Sequence, residues 1–428
     1  MAREQSTTVK RRRVFYIPGY DPIHPRRYRE LYRKESAAQA EISGYEIALK
    51  PREGARYGWH VDAVIDEAPV QAEVEVLVWS DIVRNSMATG IAATYLQLVR
   101  TAWIYISSGA LRRLMWLRKG PVIAALYPVG MLIFQLLAAM LAAALLGSLL
   151  AGGIGWIVGK VYWLFGATFN PQATGWLLLT RGVFWAAFFG AATYGLRWFK
   201  ARDNKLYAYY LMHDYAYSAQ SRGANPPELE ARMAEFTRVI AASLNDEVDE
   251  VLVVGHSSGA HLAVSILADL IRQNGVPANG PALGFLSLGQ VVPMVSFLPE
   301  AHRLRADLHF LSQRDEVTWV DVTAPGDGCA FALCDPVAVS GVAPANQKSP
   351  LVISAAFTQT LSPERWKALR WRFFRLHFQY LCAFDRPGDY DYFKLTAGPL
   401  TLAERYKGRA PSRNRIDVAA SRYTSMAA

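Results

Sequence analysis

The residues Gly255-His256-Ser257-Ser258-Gly259 set a serine between two glycines in a G-x-S-x-G spacing that occurs once in the chain. A serine hydroxyl attacks a carbonyl only when a neighbouring base can take its proton and a nearby donor can hold the developing oxyanion. The apolar run Val248 to Val254 (VDEVLVV) enters Gly255 directly, and a helix-like run, Ala260 to Arg272, follows Gly259. A sharp turn between strand and helix holds its serine on strained backbone. Glycines at 255 and 259 suit it because a Cβ there would collide with the adjoining strand or helix. An ordinary glycine-rich turn would carry the same glycines, and the strand and helix on either side are what favour an activated serine.

The elements that must position this turn alternate between strand and helix, the pattern of an α/β sheet. Arg13 to Pro18 (RVFYIP) is a short apolar run closed by Gly19, Arg26 to Ala40 is an amphipathic helix, and Val74 to Ser80 (VEVLVWS) is a second strand. Pro227 to Leu244 reads as a helix, and Ala282 to Leu288, Leu308 to Ser312 and Thr318 to Ala324 as further strands. There is no internal repeat and no low-complexity tract.

An apolar block interrupts this alternation. Gly120 to Gly159 contains no charged residue, and only Lys160 and Arg181 interrupt the run from there to Leu196. A single helix over the uncharged part would be about 60 Å long, roughly twice the hydrocarbon core of a bilayer. A break is therefore expected at Gly147, Gly152, Gly153 and Gly155. That leaves spans at 122–146 and 176–197, with a re-entrant or interfacial stretch at 151–167 around Lys160. Arg181 near the start of the last span can snorkel to the interface. The expected organisation is a first part at 1–115, a transmembrane helical insertion at 116–200 and a second part at 201–428.

Arg112, Arg113, Arg118 and Lys119 precede the block and Arg197, Lys200, Arg202 and Lys205 follow it. The positive-inside rule then puts both flanks on the cytoplasmic side with two crossings. Met1 to Arg13 has no apolar core of a secretory signal, and the Ala- and Arg-rich composition suits a bacterial inner membrane. Net charge is +10, and Met1 to Lys34 holds ten Lys or Arg against three acids. Beside a membrane block, anionic headgroups are a more economical partner for that cluster than nucleic acid, and a solvated charged face is the plainer reading. The three cysteines, Cys329, Cys334 and Cys382, lack C-x-x-C spacing. They argue against a disulfide framework and a zinc site, and fit a reducing cytoplasm.

On the turn at 255–259 and its flanking strand and helix, the sequence resembles the α/β-hydrolase family, in the two parts outside the apolar block. The resemblance implies an α/β-hydrolase sheet with helices on both faces, interrupted by the transmembrane insertion. It also implies an oxyanion loop after an early strand. Ile17-Pro18-Gly19-Tyr20 resembles that loop, with Pro-Gly where the family has His-Gly, so that the backbone N–H groups of Tyr20 and Ser258 would be the paired donors. The family's order of serine, acid and histidine puts both partners beyond Ser257. Of the histidines that follow, His261 falls on the helix after the turn, His302 and His309 precede the acid-bearing strand, and His377 lies beyond every acid considered. His377 is then the base, either at a strand end or in the middle of a helix begun by Ser362-Pro363-Glu364. Asp327, in the loop Pro325-Gly326-Asp327-Gly328, is the acid that orients it, with Asp321 and Asp335 as alternatives.

The implied chemistry is acyl transfer from a carboxylic ester through an acyl-enzyme on Ser257. It needs no cofactor and no metal, and the sequence carries no H-E-x-x-H, P-loop or dinucleotide fingerprint. A membrane block beside such a site makes a lipidic ester the natural substrate, with a small-molecule ester also open. An acyltransferase on the same three residues, and a catalytically silent membrane-tethered scaffold, are the alternatives.

Overall fold

In the computed structural model, which describes residues 8–54, 56–87 and 90–427, eight strands form one sheet. They are β1 (Arg11–Ile17), β2 (Glu46–Pro51), β3 (Gly58–Ile65), β4 (Ala68–Val76), β5 (Glu250–His256), β6 (Ala282–Leu288), β7 (Thr318–Thr323) and β8 (Leu351–Ser354). Their order across the sheet is β2-β3-β4-β1-β5-β6-β7-β8. From β4 to β8 every neighbouring pair is parallel, and β2, β3 and β4 pair antiparallel at one end. The fold is mixed α/β with a mostly parallel sheet.

Side chains along a strand alternate between faces, and here both faces are apolar. Val14, Tyr16, Leu252, Val254, Val320 and Val322 pack on one side against Tyr28 and Tyr32 of helix Arg26–Ser43 and Tyr392 and Phe393 of helix Tyr392–Ala397. Phe15, Ile17, Val251, Val253 and Trp319 pack on the other side against helices Pro227–Ser243, Ser258–Asn274 and His302–Leu311. Central strands buried on both faces read as continuous apolar runs, which is why β1, β5, β6 and β7 stand out in the sequence.

The expected strand at 308–312 is instead the end of helix His302–Leu311. Leu304, Leu308 and Leu311 recur at helical spacing and are buried together on one face. The expected strand at 74–80 is also shorter at that end. β4 stops at Val76, and Ser80 opens helix Ser80–Ser86.

Part of the basic N-terminal cluster is structural rather than a surface for headgroups. Arg12 is buried, pairs with Glu250 at 2.6 Å opposite it on β5, and donates to the carbonyls of Gly398 and Leu400. Arg13 and Arg52 both pair with Glu73 and Glu75 on β4. Register sets Arg12 opposite Glu250 and Arg13 opposite Glu73, and with Arg52 these cations neutralise Glu75 and Glu250, which burial would otherwise leave costly.

The chain divides into two compact units, one of Met1–Met87, Arg100–Ala124 and Ala216–Ala428, which carries the sheet, and one of Ala88–Val99 and Ala125–Tyr215. The second unit takes in a stretch before the expected insertion and extends beyond it to Tyr215. Two helices, Lys119–Leu164 and Thr174–Ala201, are long and apolar enough to cross a membrane. In the most apolar stretch of the second helix no residue is buried within the protein, and in that of the first only 22% are.

The expected break at Gly147 to Gly155 does not occur, and residues 151–164 are not set off from the helix before them. Residues 119–164 are one helix, with Pro128 inside it. A glycine costs a helix only about 1 kcal/mol relative to alanine. Gly147 instead admits a neighbour, because a Cβ there would lie 3.0 Å from both the ring and the carbonyl oxygen of Phe184. Lys160 sits near the end of this helix, beside the rings of Trp156 and Trp163 at 5.8 and 5.5 Å. That placement lets indoles cover an ammonium group that would be expensive at the middle of a span.

Candidate active site

Ser257 stands between the end of β5 and the first turn of helix Ser258–Asn274 with φ 57° and ψ −122°. For a residue with a side chain this conformation costs on the order of 1–3 kcal/mol and persists only where the surroundings enforce it. The surroundings here are two glycines. A Cβ on Gly255 would come 2.8 Å from the Cα of Ala260, and one on Gly259 would collide with the carbonyl oxygens of Ile17 and Pro18. The turn therefore packs directly onto the end of β1 and the loop that follows it.

That loop is Ile17-Pro18-Gly19-Tyr20, and Gly19 faces the serine. A Cβ on Gly19 would lie 3.0 Å from the Cβ of Ser257 and 3.4 Å from its Oγ. The Trp79 indole donates to the carbonyl of Pro18 at 2.9 Å, and the Tyr20 hydroxyl shares a hydrogen bond with Ser86 Oγ at 2.7 Å, which fix the loop from outside. Ser258 opens its helix, so its N–H is one of the donors without an intrahelical acceptor. The two parts of the chain that the sequence marked for oxyanion binding thus meet at Ser257.

Asp327 follows β7 on a tight turn, its N–H donating to the carbonyl of Ala324 at 2.9 Å. The carboxylate is buried and fully used. Oδ1 accepts the N–H of Cys329 at 2.8 Å, and Oδ2 accepts both His377 Nδ1 at 2.8 Å and the Tyr380 hydroxyl at 3.0 Å. Burial by itself would raise the Asp327 pKa, but His377 and these donors together hold it below the ordinary carboxylate value. A carboxylate can only accept. His377 therefore carries its proton on Nδ1, which leaves Nε2 as the basic nitrogen. Nε2 is buried and has no hydrogen-bond partner among the described residues.

His377 is the last residue of the short helix Phe373–His377. It is neither a strand end nor the middle of a helix begun at Ser362. Ser362 does cap a helix, Pro363–Leu369, by accepting the N–H of Arg365, but that helix ends before Arg370. The ring reaches the serine's neighbourhood through the end of β6. Ser257 N–H donates to the carbonyl of Leu288 at 2.9 Å, and a Cβ on the next residue, Gly289, would lie 3.1 Å from His377 Cε1. His256, beside the serine, contacts the carbonyl of His377 through Nε2 at 3.0 Å. No hydrogen bond joins Ser257 to His377 among the described residues. Such bonds are often open without substrate and tighten when it binds.

The other candidate acids are occupied elsewhere. Asp321 lies within β7 and accepts the Ser287 hydroxyl at 2.6 Å, and burial pushes its pKa up to about 8. Asp335 caps helix Pro336–Val339, accepting the N–H groups of Val337 and Ala338 and the amide of Gln347. Neither bonds to a histidine among the described residues. His261 is buried on the helix after the serine, and burial lowers its pKa to about 4.

Sequence reasoning missed three participants. His256 hides inside the motif as its variable position, and Tyr380, three residues after His377, looks like any core aromatic. Cys329 is the third. Asp327, Cys329 and His377 offer donor atoms that all lie within 4.8 Å of one another and could hold a metal ion, a grouping that cysteine spacing alone does not reveal. As arranged, the carboxylate and imidazole of that group are engaged with each other.

Comparison with family models, curated proteins and solved structures finds no match to this chain.

Proposed function

We propose that the protein is a membrane-anchored serine hydrolase of the α/β-hydrolase type that cleaves carboxylic esters, lipidic esters above all. The observation that carries the reading is the Asp327–His377 hydrogen bond, which leaves Nε2 unengaged among the described residues on a ring packed against Gly289, directly after the Leu288 carbonyl that accepts the N–H of Ser257, a serine held in strained backbone. Further support comes from the mostly parallel sheet and from Gly19 of the loop after β1 lying against Ser257.

In this reading Ser257 Oγ attacks the ester carbonyl as His377 Nε2 takes its proton. Asp327 holds the imidazole in the required tautomer and stabilises its charged form. The carbonyl oxygen, now an anion, is met by the N–H groups of Tyr20 and Ser258. Collapse expels the alcohol, which takes the proton from His377, and water then releases the acid by the same steps in reverse. The two apolar helices anchor the chain, and the basic residues at 112–119 and 197–205 keep the sheet on the cytoplasmic face.

The test is labelling of the membrane fraction with a fluorescent fluorophosphonate, comparing wild type with Ser257→Ala at equal expression. Labelling of wild type that disappears in Ser257→Ala supports the proposal, and a folded wild type that stays unlabelled overturns it.

A further inference from the structure

The thirteen residues before Leu376 read Pro-Glu-Arg-Trp-Lys-Ala-Leu-Arg-Trp-Arg-Phe-Phe-Arg, with five cations, one acid and four aromatic rings. They form the two short helices Pro363–Leu369 and Phe373–His377. The inner side of the segment grips the loop that holds Asp327. A Cβ on Gly326 would lie 2.7 Å from the Trp366 ring, and one on Gly328 would lie 3.1 Å from the Phe373 ring. The outer side faces solvent. Trp371 is 73% exposed and Phe373 46% exposed. Arg365 comes within 3.7 Å of Glu35, whereas Lys367, Arg370, Arg372 and Arg375 form no ion pair among the described residues.

A merely solvated basic loop gains nothing from a tryptophan in water. Cations interleaved with exposed rings suit two partners, a single-stranded nucleic acid or the headgroup layer of an anionic bilayer. A second, independent contact decides between them. Gly328 also faces Gly120, where a Cβ would lie 3.6 Å from the Gly328 Cα, and Arg118 donates to the carbonyl of Ala332 at 2.9 Å. Gly120 is the second residue of the apolar helix Lys119–Leu164. The Asp327 loop is thus held between the exposed aromatic segment and the first turn of a helix fit to enter a bilayer.

We infer that residues 365–375 dock onto an anionic bilayer surface. Trp371 and Phe373 enter the headgroup layer, and Lys367, Arg370, Arg372 and Arg375 pair with lipid phosphates. Docking holds His377 and the Asp327 loop at the lipid surface, where an ester can reach them without crossing water. The inference rests on the reading of the chain as membrane-anchored, but not on chemistry at Ser257.

The experiment is hydrogen–deuterium exchange on the full chain reconstituted in nanodiscs of phosphatidylcholine alone or with phosphatidylglycerol added. The fluorophosphonate is applied to the same discs. Amides of 365–375 should exchange about tenfold more slowly in the anionic discs, given the attraction that each cation adds near such a surface. Arg370→Glu/Arg372→Glu should abolish the slowing, and Trp371→Ala should reduce it. These side chains project into solvent, so the variants leave the core untouched. Equal exchange in both lipids, or slowing that survives charge reversal, overturns the inference. Slowing that requires added single-stranded RNA instead of anionic lipid also overturns it. Docking without labelling of Ser257 upholds it while removing the hydrolase reading, and a chain that fails to enter nanodiscs removes the membrane reading and this inference together.

Discussion

The rings of His256 and His377 lie tilted by 34° with centroids 4.9 Å apart, and His256 Nε2 lies 3.0 Å from the carbonyl oxygen of His377. A carbonyl only accepts, so His256 is the donor and must carry hydrogen on Nε2. Burial, with His377 nearby, lowers the His256 pKa to about 3, which keeps that ring neutral. The residue beside Ser257 therefore fixes the backbone of the candidate base. His256→Ala should cost about 1–3 kcal/mol of stability from the orphaned carbonyl and the cavity. It should also slow fluorophosphonate labelling about tenfold or more, because a base misplaced by a fraction of an ångström loses its near-attack geometry. Denaturant midpoints and labelling rates on the same preparation check both effects, and unchanged labelling in a destabilised variant would make the contact purely structural.

Asp327 and Asp321 are six residues apart but sit in opposite electrostatic states. Asp327→Asn should cut labelling by up to about four orders of magnitude, since an amide favours the wrong tautomer of His377. Asp321→Asn should leave it intact. The Asp321 pKa is raised in the folded chain to about 8, above its unfolded value of about 3.9. The native state therefore holds a proton that the unfolded state releases, and this stabilisation is full below about pH 4 and lost as pH rises toward 8. Between pH 6.5 and 8 the wild type should lose on the order of 1–2 kcal/mol relative to Asp321→Asn. Chemical denaturation of the two proteins across that range measures the difference. Parallel curves would show that Asp321 does not hold its proton.

Tyr380 and His377 share one oxygen of Asp327. The Tyr380 hydroxyl donates to Oδ2 at 3.0 Å and accepts the N–H of Ala324 at 3.0 Å. Tyr380→Phe removes one of the donors that keep the carboxylate weakly basic, so Asp327 should bind the charged imidazole more strongly. The acid limb of the pH–rate profile, for labelling or ester cleavage, should then move to higher pH, with a rate loss of about tenfold at neutral pH. A purely structural tyrosine would lower stability and leave the limb in place.

How far the sequence disclosed this arrangement depended on whether the signal was local. The turn at Ser257 was legible because its needs, an apolar strand, two glycines and a helix, are met within about 25 contiguous residues. Central strands β5, β6 and β7 showed as apolar runs for a similar reason. β2 and β3 did not, because β2 has no fully buried residue and β3 alternates with polar positions at the end of the sheet. Asp327 and His377 were reachable only through the order of residues in a resembling family, since the 50-residue gap between them says nothing of a 2.8 Å bond. Tyr380 and His256 act through tertiary contacts that leave no mark on spacing. The unbroken helix at 119–164 is hidden in the sequence because Gly147, of a residue type that disfavours helix, serves there as a notch for Phe184.

The buried Arg12–Glu250 pair spans 238 positions of sequence, and this bears on how the chain can be made. β1 pairs with β4 on one side and with β5 on the other. As the ribosome proceeds, β1 to β4 can associate early, but β1 keeps an open edge and Arg12 an unmet charge until residues past 250 emerge. Both apolar helices are synthesised in that interval. The nascent half-sheet must therefore persist while both helices are made, with an adhesive edge exposed. A chain cut after Ala201 would carry that edge permanently and should accumulate as aggregate rather than as a folded half.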